Sequence, residues 1–313
     1  MNVVMINDCS HVGETILKYL PAYFDRTHIR RGRNLWDKTF GLAHKILRAK
    51  GDAYHVHYLL QDCYLALKFG KHPVIGHAHG SDLRVGLNHR VWNRIVKYNL
   101  KHCEKILVST PDILKIAKKL REDAEYIPNP VDTSIFYPKP VNSHNGRLKV
   151  LIAANCNWKV KGTDIAIYAL SRLKSEVDAY IIRYGRDFAK TLALADSLGL
   201  SLNVLPKTSH QEIREYYWNA DVVLGSFGAG ALGMVALEAI ACGRPVITYV
   251  SSRYPEYHDF PLRDVNTADK ILEAIEKTSH KLWKAEYGYL KKYHSPEKAV
   301  KRIYELYFEL CGS

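Results

Sequence analysis

Short apolar runs alternate with longer amphipathic stretches along almost the whole chain. Residues 3–6, 53–57, 73–77, 106–109, 148–153, 179–183, 202–205, 221–224 and 246–250 are brief and mostly apolar, which predicts buried strands. Between them, apolar positions recur at helical spacing over residues 14–20, 58–69, 89–105, 113–120, 163–173, 211–219 and 232–242, and again over 296–310. Thr110, Pro111 and Asp112 are expected to cap the helix that begins at Ile113. Strand following helix in this rhythm predicts an α/β fold with parallel sheets. The chain of 313 residues is long enough for two domains, and the hydrophilic stretch 139–147 is the expected boundary.

The most informative stretch is 224–250, LGSFGAGALGMVALEAIACGRPVITYV. It reads as strand end, glycine loop, helix, glycine stop and strand. A glycine loop that feeds a helix offers unpaired N–H groups and the positive end of the helix dipole, which suits phosphate. Glu238 lies among apolar neighbours inside that helix, where a charge is costly unless something pairs with it. The uncharged run 222–237 is too short for a membrane span, is broken by glycines, and is followed by Glu238 and Arg244.

The residues LGMVALEAIACGRPVI resemble the C-terminal signature of glycosyltransferase family 4, a GT-B family. Other stretches carry the same resemblance. HAHGSD at 77–82 is similar to the family's His-Gly-Ser-Asp element, and Ile127 to Phe136 resembles its Pro-Asn-Gly-Val-Asp link, with Pro130 in place of the glycine. Lys161-Gly162 resembles its Lys-Gly element. The likeness covers nearly the whole chain. It implies two Rossmann-like domains with parallel sheets facing across a cleft. Residues 1–140 would be the acceptor-side domain, 148–295 the nucleotide-sugar domain, and 296–313 a helix that returns to the first.

The family uses two glutamates eight positions apart. Glu238 matches the second, which holds the ribose of the nucleotide, while Gly230 stands where the first would touch the donor sugar. The resemblance further implies that Lys161 pairs with the donor diphosphate and that His79 lies near the transferring sugar. Asn155 occupies the place of a second basic residue, and Gly13 is the glycine expected to approach the donor phosphates. Leu232, Gly233, Met234 and Val235 would present backbone amides to the diphosphate. Arg183 and Lys207, at strand ends, complete the expected donor-binding set. His55, His57 and His77 invite a metal cluster, but their spacing is read as alternating strand faces and no metal site is expected.

Composition narrows the partners. The net charge is +13, and it is uneven: residues 1–147 carry +10 and the remainder +3. The basic stretch Arg26, Arg30, Arg31, Arg33, Lys38, Lys45, Arg48 and Lys50 interleaves with Trp36, Phe40, Leu42, Ile46 and Leu47. It reads as a solvated face or as a contact for anionic lipid or an acidic acceptor. Nucleic acid is not expected, since no nucleic-acid module accompanies the charge. The six cysteines form no Cys-x-x-Cys pair, and the first residues lack the basic start and long apolar body of a signal peptide. A reducing, cytoplasmic setting follows, with peripheral contact at the inner membrane face.

Together these readings predict a retaining transferase that moves a sugar from a UDP- or GDP-linked donor to a hydroxyl of a glycan, lipid-linked or small-molecule acceptor. Retention comes from the resemblance. No cofactor is required, and no Asp-x-Asp motif calls for Mg²⁺. The alternatives are a nucleotide-sugar-binding protein of the same fold that has lost transfer, suggested by Gly230, and a nucleotide-sugar epimerase.

Overall fold

The computed structural model describes residues 1–32, 34–140, 146–173 and 176–312. Arg33 of the basic stretch, and residues 141–145 of the expected boundary, lie outside the described residues. The chain divides into two compact units, Met1–Pro130 with His294–Ser313, and Val131–Tyr293. The first crossing therefore falls just after the Pro128-Asn129-Pro130 turn, ahead of the hydrophilic stretch. The closing helix Pro296–Cys311 belongs to the first unit.

The first unit is built on six parallel strands: β1 Asn2–Ile6, β2 Asp25–Ile29, β3 Ala53–His57, β4 Val74–Ala78, β5 Lys105–Val108 and β6 Glu125–Tyr126. Their order is β2-β1-β3-β4-β5-β6. The second unit has five: β7 Leu148–Ile152, β8 Val177–Ile182, β9 Leu202–Leu205, β10 Val222–Leu224 and β11 Val246–Ile247, in the order β11-β10-β7-β8-β9. All pairs are parallel. Strand alternation distributes each sheet's side chains over two buried faces. In the second unit Leu151 and Val223 join one core, while Val150, Ile152, Val222 and Leu224 join the other. In the first, Val4, Ile6, Tyr54 and Val56 share an apolar core, and the opposite face of β3 carries His55 and His57.

The expected strands and helices occur, with some instructive differences. The strand β2 was hidden because DRTHI is polar and mostly exposed, as an edge strand can afford to be. The strand expected over 246–250 pairs only at Val246 and Ile247. Thr110 makes no side-chain cap: Pro111 opens the helix Pro111–Lys118, and the Thr110 hydroxyl instead accepts from Arg84 at 3.2 Å. The helices Phe188–Ser197, Ala268–Glu276 and His280–Tyr293 lie outside those predicted from spacing.

The Gly-Arg-Pro turn after the glutamate helix has a structural task. Gly243 adopts φ +88, and Arg244 is 1% exposed. Its guanidinium donates to the carbonyls of Tyr217, Trp218, Gly243 and Lys139 at 2.7–3.2 Å. It thus ties the end of the helix Ile213–Trp218 to the segment that leads out of Phe136. Arg244→Met would leave those buried carbonyls unserved and should cost about 3 kcal/mol. Chemical denaturation measures it, and a midpoint equal to wild type would contradict this role.

Candidate functional site

In the second unit the chain places its chemistry at the carboxyl ends of the strands, where open α/β sheets bind ligands. The helix Met234–Ala241 starts directly after the glycine loop that follows β10. Gly233 is its N-cap in extended conformation, no side chain caps it, and its first turn holds no acidic residue. The amide of Leu232 is already engaged, donating to the Tyr257 hydroxyl at 3.1 Å. The amides expected to meet a diphosphate therefore reduce to those from Gly233, Met234 and Val235. One turn further on, Glu238 is 4% exposed. The Tyr217 hydroxyl donates to its Oε2 at 3.0 Å, and His210 Nδ1 lies 3.6 Å from its Oε1. Burial pushes its carboxyl up to about 8, and the Tyr217 hydrogen bond opposes that shift.

From sequence, His210 is read only as part of the stretch 207–210 expected near the nucleotide base, and Tyr217 is not singled out. A local signal did exist for the loop that carries His210. Ser209 and Glu212 form a reciprocal cap, Ser209 N to Glu212 Oε2 and Glu212 N to Ser209 Oγ, each 3.3 Å. That cap fixes the entry to the helix bearing Tyr217, and the His210 ring stands edge-on to Phe136 at 5.0 Å.

The lysine loop meets the glycine loop backbone to backbone. Asn157 caps the short helix Trp158–Lys161, Gly162 ends it at φ +59, and Phe227 N donates to Lys161 O at 2.7 Å. A Cβ on Gly228 would stand 2.2 Å from Val160 O, so only glycine permits this approach. Asn155 lies in the preceding turn, where its Oδ1 would be 2.4 Å from a Cβ on Gly185. Arg183 and Lys207 are exposed just after β8 and β9. Gly230 has φ +68, and a Cβ there would come within 2.9 Å of Ser251 and 3.0 Å of Tyr249.

The first unit gathers its polar groups at the ends of β1, β3 and β4. Asn7, Ser10, His11 and Tyr58 all have positive φ, a concentration of backbone strain at the strand ends. Asn7, Asp8, Ser10, His11, Arg30 and Arg31 line an open depression of about 290 Å³. Arg31 holds the buried Asp62 through two bonds of 2.9 Å. Gly13 donates its amide to Asp8 Oδ1 at 2.8 Å, and a Cβ on it would stand 2.9 Å from His57 Nε2. Glycine is thus required here by packing, and a side-chain carboxylate already occupies the amide offered to phosphate.

His79 follows β4 and is partly exposed. Asp82 does not orient its ring. The carboxylate instead accepts from the amides of Leu59, Gly80 and Leu83 at 2.9–3.1 Å, fixing the turn. The ring is held by His57, whose Nδ1 is 2.7 Å from His79 Nε2. His55, His57 and His77 do not alternate between faces: they stack with His79 on one face, with ring centroids 4.4–5.4 Å apart. Burial holds all four below the ordinary histidine value.

Residues 136–281 match the model for glycosyl transferases group 1, and residues 9–135 match the one for Glycosyltransferase Family 4. The chain belongs to glycosyltransferase family 4. Among curated relatives, the family 4 chain is 23% identical over 212 residues to N-acetyl-alpha-D-glucosaminyl L-malate synthase of Bacillus anthracis, covering 63% of this chain and 56% of that one. It is 30% identical over 160 residues to the lipopolysaccharide glucosyltransferase WaaG of Escherichia coli K12, covering 50% and 41%. The chain thus spans about half the length of these two relatives. Among solved structures, Anabaena HepE in complex with UDP and glucose matches with a TM-score of 0.76 at 14% identity, covering 97% and 98% of the two chains. That likeness establishes the GT-B fold.

Glu238 yields a pH prediction. Its carboxyl titrates near 4.5 when unperturbed and about 8 when folded. Folding therefore favours the protonated form. The stability this brings is complete below the unfolded value and is lost as pH rises through about 8. Relative to Glu238→Gln, the wild type should lose about 1–3 kcal/mol between pH 6 and pH 9. Urea denaturation at constant ionic strength measures it, and parallel profiles would show that Glu238 is already ionised at pH 6.

Proposed function

We propose that the chain is a retaining glycosyltransferase that moves a sugar from a UDP- or GDP-linked donor to an acceptor hydroxyl. One observation carries this reading: a buried carboxylate stands one turn inside a helix whose N-terminus no side chain caps, directly behind a glycine loop at a strand end. Such a terminus suits a diphosphate, and a carboxylate held by a tyrosine suits the paired hydroxyls of a ribose. UDP accompanies the HepE neighbour in its crystal, which supports the same assignment.

In this reading Glu238 grips the ribose. Lys161 and the amides of Gly233, Met234 and Val235 take the charge that develops on the departing diphosphate. Arg183, Lys207 and Asn155 border the donor, and the chain turns at Gly230 and Leu232 close to the sugar. His79 positions sugar and acceptor, while Gly13, its amide held by Asp8, packs against His57. The acceptor hydroxyl attacks from the side of the leaving group, and a donor phosphate oxygen takes its proton. No metal enters these steps. A donor-binding protein without transfer is the second reading, favoured by the lack of any side chain at Gly230.

The acceptor is proposed to be a glycan or a lipid-linked hydroxyl compound met at an anionic membrane face, in the cytoplasm. Trp36 and Phe40 are 66% and 68% exposed with rings 5.1 Å apart, and Leu47 is exposed as well. Trp36 precedes the helix Phe40–Arg48 and the other two lie on it; the helix buries Leu42 and Ile46 and carries Lys45 and Arg48 in its last turn. Exposed aromatic groups among cations suit an anionic lipid surface. Among the described residues no helix is long and apolar enough to cross a membrane.

Thermal shift and donor turnover with UDP-, GDP- and ADP-sugars test the central reading. Binding of one donor, weakened at least tenfold in Glu238→Ala, is expected; no binding at millimolar donor would end the proposal. Binding without transfer to any offered acceptor would select the second reading. For the membrane face, co-sedimentation with phosphatidylglycerol vesicles should occur at low salt, fall as salt rises, and weaken in Trp36→Ser/Phe40→Ser. Failure to sediment at low salt removes that contact.

A further inference from the structure

The histidine stack of the first unit has the makings of a site of its own. His55 and His57 are two residues apart on β3, so they share one face. His77 is the Cα partner of His57 on the neighbouring strand β4. All three side chains are fully buried, and one ligand nitrogen from each lies within 4.8 Å of the others. His-x-His on one strand with a third imidazole across the ladder is a donor set that a tetrahedral metal ion takes, leaving its fourth position to another ligand.

The His55–His77 separation suits such an ion, and all three ligand nitrogens lie within 4.8 Å of one another. Metal–nitrogen bonds of about 2.0–2.1 Å place tetrahedral ligand nitrogens roughly 3.4 Å apart. His55 Nε2 and His77 Nδ1 are 3.1 Å apart. Two of the three outer nitrogens are also held as ligand imidazoles usually are. His55 Nδ1 meets the Tyr307 hydroxyl at 2.8 Å, and His57 Nδ1 meets His79 at 2.7 Å. Met5 Sδ lies 3.0 Å from His57 Nε2, a soft neighbour for the open position. His77 turns its Nδ1 toward His55, and its other nitrogen, Nε2, is buried without a partner. The set offers nitrogen and thioether sulfur and no carboxylate, which disfavours Mg²⁺ and Ca²⁺ and favours Zn²⁺ or Co²⁺.

We infer that His55, His57 and His77 form a transition-metal site of the Zn²⁺ class within the first unit, on the sheet face that Tyr307 of the closing helix covers. The ion would join β3 to β4 and, through Tyr307, to the helix Pro296–Cys311. It is separate from the donor chemistry, which invokes no metal.

Titration of the chelator-treated, desalted chain with Co²⁺ tests it. One equivalent per chain should give intense tetrahedral ligand-field bands without a thiolate charge-transfer band, and Zn²⁺ should abolish them. His77→Gln and His55→Gln should bind about 100-fold more weakly or not at all, Tyr307→Phe about tenfold more weakly, and the surface variant His89→Gln as the wild type does. Circular dichroism establishes which variants fold. If the two histidine variants do not fold, Tyr307→Phe and the wild-type spectrum decide. Absence of stoichiometric binding, a thiolate band, or unchanged affinity in a folded His77→Gln chain or in Tyr307→Phe would overturn the proposal.

Discussion

Sealing the Glu238 carboxyl away from water is the constraint on which the rest of the second unit's site depends. A carboxylate in an apolar helix is expensive, and the structure offsets that cost with one hydroxyl and a nearby imidazole. Each of these needs its own support. Tyr217 sits on a helix whose carbonyl ends are held by Arg244, and His210 sits on a loop closed by the Ser209–Glu212 cap. The Gly-Arg-Pro turn after the glutamate helix therefore acts on the glutamate at a distance, through the element opposite. A carboxyl held partly protonated and backed by a tyrosine can also ionise as a polar ligand arrives, so binding there is coupled to a proton.

The first unit meets the same difficulty differently. Four imidazoles occupy a sheet face where aliphatic side chains would pack without penalty. They remain neutral and bond to one another and to Tyr307. Buried polar clusters of this kind are tolerated only where their members satisfy each other, and His77 Nε2 and His79 Nδ1 do not find partners. The incompleteness is concentrated at the end nearest the strained turns at Asn7, Ser10, His11 and Tyr58. Strain and unmet polar groups in one place mark a region shaped for binding more than for stability.

Much of this architecture was legible because it is periodic. Strands buried on both faces read as uninterrupted apolar runs, and nearly every one was found within a residue or two of its place. The exceptions share a cause. β2 is an edge strand and β6 has two residues, so neither needs an apolar signature. Among the candidate residues of the two units, Glu238, Lys161 and His79 stood out through glycines and apolar neighbours, but the groups that hold Glu238 and His79 did not. The ring of His79 is held not by Asp82, three residues on in sequence, but by His57, brought over by the pairing of β3 with β4. Only strand register reveals such a contact, and register is a long-range property.

Gly230 shows why a motif residue cannot be judged by identity alone. Read as a string, it is a lost glutamate. In the fold it lies in the left-handed region, with Ser251 and Tyr249 within about 3 Å of where a Cβ would be, and its carbonyl accepts from Ser251 N at 3.0 Å. A side chain there would strain the backbone and collide, so this loop has been rebuilt around the glycine. In the proposed reading, hydrogen bonds to the donor sugar at this point come from the backbone or from neighbouring loops. A loop rearranged this closely constrains what can bind, because its carbonyls and amides are fixed by Ser251 and Tyr257 instead of being free to follow a side chain. In the proposed transferase reading, Gly230 is thus better understood as part of an altered sugar-facing surface than as a gap in a catalytic set.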